Sequence, residues 1–237
     1  MATLKLNVPE KRLVSPSSWG SRTAIANMMK RITKNYGKFI KFSSENSKIP
    51  AEIIASFIAV ESGGKADAGT AGHITQGLMQ WNRNYAKNTL EAEKRLGRLS
   101  QAEEDKLKSF GLKFDANNKL NRAVSNADQL KPELNILIGS IYLGLMFDSY
   151  FDGGKRQNIW GTDENGNLRL DRVIAVYNAG PYGDAGKKAR LGNYKTPYDL
   201  ANDVNPITSA YIRKIYGING SMDVATSDVK ADFSNLG

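Results

Sequence analysis

The sequence predicts a mainly α protein, on three observations. Apolar residues recur at helical spacing in four separate segments, glycine or proline punctuates those segments, and no fixed-period repeat runs through the chain. Residues 1–17, with Pro9 and Pro16 and no periodicity, read as an irregular arm. From Ser21 a stripe of Ile25, Met28, Met29, Ile32 and Tyr36 marks a first helix, which Gly37 is expected to end. A polar link over 43–48 leads to Pro50, whose fixed φ and missing N–H suit the first turn of a second helix. That helix carries Ile54, Phe57, Ile58 and Glu61 at i, i+3, i+4, i+7 and stops at Gly63-Gly64.

Residues 82–130 form a long polar stretch. Its charged part, 90–110, is expected to make one or two surface helices, and 115–120 reads as a turn. A third helix over about 134–147 places Leu134, Leu137, Ile138, Ile141 and Leu145 on one face. Gly139 and Gly144 weaken its intrinsic helicity but would let another helix approach closely. Residues 152–167 read as a Gly/Asn-rich loop. A fourth helix near 170–178 aligns Leu170, Val173, Ile174 and Tyr177 before Gly180-Pro181. A last helical piece, about 207–216, precedes a polar tail. The expected organisation is an arm over 1–17, one domain over 18–219 with an enlarged insertion at about 82–130, and a tail over 220–237.

Composition narrows the chemistry. With no cysteine and a single histidine, His73, disulfides and thiolate catalysis are excluded, and a metal site would have to be built almost wholly from carboxylates. No metal and no cofactor is expected. Carboxylate, tyrosine, lysine or backbone chemistry remains. The 33 Lys and Arg against 24 Asp and Glu leave a net charge of +9, and residues 1–50 hold much of that excess. Such a surface suits an anionic envelope polymer or nucleic acid, or is simply solvated. No nucleic-acid signature accompanies it, so envelope attraction ranks first and no nucleic-acid partner is expected. No apolar run reaches the length of a membrane span, and residues 1–20 carry no secretory-signal pattern.

Glu61 is the leading candidate for chemistry. It extends the apolar stripe by one turn, so helical geometry aims it toward the core, where partial desolvation would favour its protonated form. A general acid needs that form near neutral pH. The following Gly-Gly opens the helix end for a ligand. Periodicity alone leaves open that Glu61 turns out to solvent. Gly77-Leu78-Met79-Gln80 combines a glycine that permits close backbone approach with an amide that can donate and accept. Leu78 and Met79 could equally be core. Residues 175–181 (Ala-Val-Tyr-Asn-Ala-Gly-Pro) end a helix with Tyr177 and Asn178 at the mouth of a turn, and Tyr177 could bond a carboxylate or be a satisfied core tyrosine.

In order and wording these segments resemble the soluble lytic transglycosylase family of the lysozyme-like superfamily. Glu61-Ser62 resembles its catalytic Glu-Ser pair, and residues 77–80 its Gly-Leu-Met-Gln motif. Asn135-Ile136 with Gly139 and Tyr142-Leu143 resembles its Asn-Ile-x-x-Gly-x-x-Tyr-Leu helix. Residues 176–181 resemble its Ala-Tyr-Asn-Ala-Gly-Pro motif, and Tyr211 falls where a late tyrosine follows. The resemblance spans about residues 21–216. It departs from the pattern at His73-Ile74-Thr75-Gln76, in the length of 82–130, and in the arm over 1–20.

The resemblance implies a lysozyme-like fold of the lytic transglycosylase or goose-type lysozyme kind, with a minor β element near the cleft. It implies cleavage of peptidoglycan between N-acetylmuramic acid and N-acetylglucosamine with a 1,6-anhydro product. Glu61 and Tyr177 would be the catalytic pair. Ser62, Gly77, Leu78, Met79, Gln80, Tyr142, Asn178, Ala179 and Tyr211 would bind or shape the glycan. The alternatives are a hydrolytic muramidase on the same fold, with Asp67 as a candidate to hold water, and a wall-binding or structural protein without chemistry. A wall-cleaving chain without a secretory signal is expected to belong to a bacteriophage, released at lysis or carried in the virion.

Overall fold

The computed structural model describes residues 10–148, 150–152, 155–157 and 169–236. The element order is β1 (Glu10–Val14), a 3-10 turn (Ser17–Trp19), α1 (Arg22–Ser47), α2 (Ala51–Ser62), α3 (Arg83–Arg95), α4 (Gln101–Ser109), α5 (Asn126–Gln129) and α6 (Pro132–Asp148). Then follow β2 (Tyr150–Asp152), β3 (Lys155–Gln157), α7 (Leu170–Ala179), α8 (Asp184–Leu191), α9 (Pro197–Asp203), α10 (Pro206–Tyr216), β4 (Gly217–Ile218), α11 (Ser221–Ser227) and α12 (Lys230–Ser234). The chain is mainly α, as its periodicity predicts. It divides into two compact units, one of Met1–Met29 with Met146–Ala231, the other of Lys30–Leu145 with Asp232–Gly237.

In the second unit α1 runs straight through Gly37, where the sequence predicts an end. Gly37 is buried, and a Cβ there would lie 2.8 Å from Leu236 Cδ2, so the missing side chain serves packing rather than termination. Helix α2 starts at Pro50 and buries every residue from Ile53 to Ala59. Gly63, at φ 61°, turns it off in the left-handed conformation, its N–H donating to Ala59 O at 3.0 Å.

The stretch 82–130 forms helices α3, α4 and α5, each started by a side-chain cap. Asn82 accepts from Asn84 N, while Ser100 with Glu103 and Ser125 with Asp128 form capping boxes. It is less of a surface layer than its charge suggests, because Leu90, Leu107, Leu112 and Leu120 are buried. The turn at 115–120 is present: Asp115 Oδ1 accepts from Asn117 N and Lys119 N, both at 2.8 Å. Glu91 staples it to α3 by accepting from Leu120 N at 3.0 Å and Lys119 Nζ at 2.9 Å.

The first unit centres on α7, which packs against α8, α9 and α10. The expected arm is in part ordered: β1 pairs in parallel with β4, and Leu13 is fully buried. Residues 1–9 lie outside the described residues. The expected polar tail is also structured: it forms α11 and α12, and Val224, Ala225, Val229 and Phe233 are buried. Its apolar positions are too few and too widely spaced to announce a helix until α10 and β4 stand beside α11. The N-terminus of α1 is tied to α11 by Arg22, which reaches Asp223 and Asp228 at 2.7 Å each. Within the predicted loop over 152–167, β2 and β3 pair antiparallel, and 158–167 fall outside the described residues.

A buried ion pair anchors α7. Arg169 grips Asp171 with two parallel bonds, Nε to Oδ1 at 2.8 Å and Nη2 to Oδ2 at 2.7 Å, and its Nη1 donates to Tyr194 O at 2.8 Å. Arg172 donates to Ala189 O at 3.0 Å and Gly192 O at 2.9 Å. Together they pin the turn after α8. Asp171 is wholly buried, so Asp171→Ala would strand the Arg169 guanidinium without its counter-charge. A loss of about 3–5 kcal/mol is expected in urea or thermal unfolding. A loss under 1 kcal/mol would mean that the pair is dispensable.

Candidate active site

The geometry of the second unit converges on the C-terminal turn of α2. Glu61 and Ser62 are the last two residues of α2, and both are half-buried. The Ser62 hydroxyl donates to Ile58 O at 2.9 Å and accepts from Gly64 N at 3.1 Å, so it finishes the helix as much as it faces a ligand. Two residues of α1 hold the same turn: Arg31 Nη2 donates to Gly63 O at 2.9 Å and Tyr36 OH donates to Gly64 O at 3.2 Å. Gly64, at φ 78°, leaves room for Ile32, whose Cγ1 would lie 2.8 Å from an added Cβ. Helix α1 therefore fixes where the candidate acid stands. The sequence shows these residues only as a stripe and a basic run.

The 76–81 loop reaches the same point. Gln80 is a non-glycine residue at φ 43°, a conformation that costs about 1–3 kcal/mol and is kept where the surroundings over-determine it. Its side-chain amide donates to the backbone carbonyl of Glu61. One of the groups expected to face the sugar thus ties the loop to the end of α2.

Asn135 on α6, fully buried, clamps that loop through its side-chain amide. Its Oδ1 accepts from Met79 N at 2.8 Å, and its Nδ2 donates to Gln76 O at 3.1 Å and to Gln129 O at 2.8 Å. Its backbone carbonyl accepts from Trp81 Nε1 at 2.9 Å. Gln129, equally buried, donates to Ile74 O at 3.0 Å and Trp81 O at 2.9 Å. Gly77 is required by the same clamp. At φ 81°, a Cβ on it would lie 2.3 Å from Gln129 O and 2.4 Å from Asn135 Nδ2.

Several residues expected to contact the sugar therefore also serve the scaffold. Gly77, Leu78 and Met79 are buried, so no side chain among them is open to a glycan. Met79 lies against Gly139, where an added Cβ would meet its Sδ at 2.4 Å. The glycine expected to admit a second helix thus admits a side chain from this loop. Gly144 has open space beside it.

Tyr142 is half-buried and lines a small open depression together with Trp81, Asn82, Tyr85, Thr89 and Ile138. Burial raises its phenol to about 12, and Tyr85 beside it adds to the shift, so the hydroxyl stays a donor at physiological pH. Tyr85, at 61% exposure, leaves an aromatic face open at this rim.

The remaining predicted residues belong to the first unit. Tyr177, Asn178 and Ala179 form the half-buried end of α7. Asn178 Oδ1 accepts from Thr208 Oγ1 at 3.0 Å, which fastens α10 to that end. Tyr211 on α10 is 7% exposed, a packing position rather than an open contact for a sugar. Gly180, at φ 69°, is followed by a close approach in which a Cβ on Gly186 would lie 1.8 Å from Gly180 O, so α8 sits directly on the turn after the motif.

Asn135 belongs to a segment that resembles a family motif, yet its clamping role is invisible without the loop. Gln129 is missed altogether: α5 is four residues long and leaves no periodic signal. Among the described residues, no group of three or more His, Cys, Asp or Glu could hold a metal, and no helix is long and apolar enough to cross a membrane.

No protein-family profile and no curated protein sequence matches the chain. Among solved structures it is similar to an inactive mutant of the lytic transglycosylase Slt from Pseudomonas aeruginosa. The match has a TM-score of 0.51 and 17% identity and covers 82% of this chain. The chain spans 24% of the length of that protein. This likeness assigns the fold, which is the mainly α, lysozyme-like fold of lytic transglycosylases with two small two-stranded sheets.

Proposed function

We propose that this chain is a peptidoglycan lytic transglycosylase in which Glu61 acts first as acid and then as base. The observation that carries the reading is the convergence on Glu61: the Gln80 amide bonds its carbonyl, and the loop bearing Gln80 is held by Asn135. Three segments that resemble one enzyme family are thereby joined at the helix end that carries the half-buried Glu61, on the fold that the solved transglycosylase shares.

In this reading Glu61 donates its proton to the glycosidic oxygen as the bond from C1 of N-acetylmuramic acid breaks. The carboxylate then takes the proton of the C6 hydroxyl as that oxygen bonds C1, leaving a 1,6-anhydro ring. No water is consumed. The substrate's own acetamide shields the cationic centre, which removes the need for the second carboxylate of ordinary glycosidases.

The test is the product. Purified sacculi digested with the protein are expected to release muropeptides lighter by one water than their reducing counterparts, as read by mass spectrometry. Reducing ends that carry the added water would instead make the protein a hydrolytic muramidase. A bacteriophage role also belongs to this reading, supported by the basic character of residues 1–50. Detection of the chain in purified virions would assign it to entry, whereas a gene set among ordinary envelope genes would remove the phage role.

A further inference from the structure

From Lys30 to Lys41, helix α1 presents an unusual face. Lys30, Arg31, Lys34, Lys38 and Lys41 are all exposed, while Ile32, Thr33, Gly37 and Ile40 between them are buried. At about 100° per residue the five cations fall within an arc of about 100°, along about 16 Å of helix. Glu45 is the only acid on this face of α1, and among the described residues none of the four lysines forms an ion pair; Lys38 lies over the Phe39 ring at 5.0 Å. Like charges four residues apart, as in Lys30-Lys34-Lys38, oppose helix formation. The ridge thus has a local cost that, within α1, only Glu45 four residues after Lys41 offsets in part. It is also continuous with the candidate active site, because Arg31 donates to Gly63 O two residues after Glu61.

We infer that this ridge is a docking surface for the acidic stem peptides of the peptidoglycan strand on which Glu61 acts. The inference rests on the wall-cleaving reading above and adds to it a requirement for peptide-bearing rather than naked glycan. Position and charge together select this occupant. Four of the five cations are lysines, strongly hydrated point charges that suit mobile carboxylates of no fixed orientation. Arg31, the fifth, gives one N–H to Gly63 O, which sets the ridge beside the helix end that carries Glu61, where the carboxylates of the bound strand would lie. Long-range attraction from such a ridge raises the local concentration of an anionic strand beside the helix end.

The experiment uses the full chain carrying Glu61→Gln, which holds substrate without consuming it, with and without Lys34→Glu, Lys38→Glu and Lys41→Glu together. Co-sedimentation is measured on intact sacculi, on sacculi whose peptide carboxylates have been converted to amides with carbodiimide and ammonium chloride, and against competing duplex DNA. The triple change is expected to weaken binding to intact sacculi by about tenfold or more at low ionic strength and to have little effect at about 1 M salt, where the Debye length falls to about 3 Å. Amidated sacculi should bind both proteins alike. A thermal midpoint equal to or above that of the Glu61→Gln parent shows that the change acts on binding and not on folding.

Equal binding of both proteins to intact sacculi would overturn the proposal. So would an equal loss on intact and amidated sacculi, or DNA displacing intact sacculi at equal charge concentration. Failure of the transglycosylase reading shows separately, as cleavage that survives Glu61→Gln.

Discussion

Replacing Glu61 by Gln is expected to lower the rate of sacculus cleavage by about 10²–10⁴-fold, the range contributed by a positioned general acid–base. Glutamine keeps the size and shape of the side chain but cannot surrender a proton to the leaving oxygen or accept one from the C6 hydroxyl. Each tenfold loss corresponds to about 1.4 kcal/mol of transition-state stabilisation. Folding should be spared. Glu61 is half-buried at the last turn of α2, and the bond from Gln80 goes to its backbone carbonyl, which the substitution leaves in place. The change in unfolding free energy is expected to stay within about 0.5 kcal/mol. The two readouts are loss of turbidity in a sacculus suspension and thermal unfolding followed by circular dichroism. A variant that clears sacculi within a few-fold of the parent rate would remove Glu61 from the chemistry.

Asn135→Asp should be the most damaging change of a residue that no substrate reaches. The side-chain amide of Asn135 makes three buried hydrogen bonds to backbone groups, accepting from Met79 N and donating to Gln76 O and Gln129 O. A carboxylate could still accept from Met79 N, but it has no hydrogen for the two carbonyls and would face their negative ends at 2.8–3.1 Å. Each stranded carbonyl costs about 1–3 kcal/mol, so a total of about 2–6 kcal/mol is expected, with an upward-shifted carboxyl pKa as the alternative route to relief. Stability should therefore partly recover on acidification, as the new carboxyl protonates and regains one donor. The loop carrying Gln80 in its left-handed conformation would be released, and cleavage should fall even at temperatures where the variant is folded. An Asn135→Asp protein with parental melting temperature would show that the loop is held by other contacts.

The periodic parts of the chain were legible because their cause is local. The stripes ending in Glu61 and Tyr177, and the apolar residues from Leu134 to Leu145, recur at 3.6-residue spacing and became α2, α7 and α6, although burial in these helices extends round the whole circumference. The misreadings share a different cause. Gly37 looks like a helix end, and is instead a close contact with Leu236, nearly two hundred residues away. Gly139 looks like a helix crossing, and is instead the seat of Met79. The stretch after Gly220 looks like solvent-facing chain because its helices are short, and α11 finds cover only once α10 and β4 are folded beside it. A glycine's place in sequence says that space is needed there, but not what fills it.

The same division runs through the site. In the sequence the candidate acid rests on composition, stripe and resemblance together: without cysteine, and with a single histidine, carboxylate, tyrosine, lysine or backbone chemistry remains, the helical stripe offers Glu61, and only the resemblance of the neighbouring motifs singles it out. Which residues hold that acid in place was decided only by tertiary structure. Arg31 and Tyr36 from α1, Gln80 from the loop, and the buried amides of Asn135 and Gln129 act through hydrogen bonds that join positions up to 59 residues apart. An amide at a buried backbone crossing reads in sequence as one more polar residue. Its worth appears only when the chain has folded around it and left those backbone groups no water to bond.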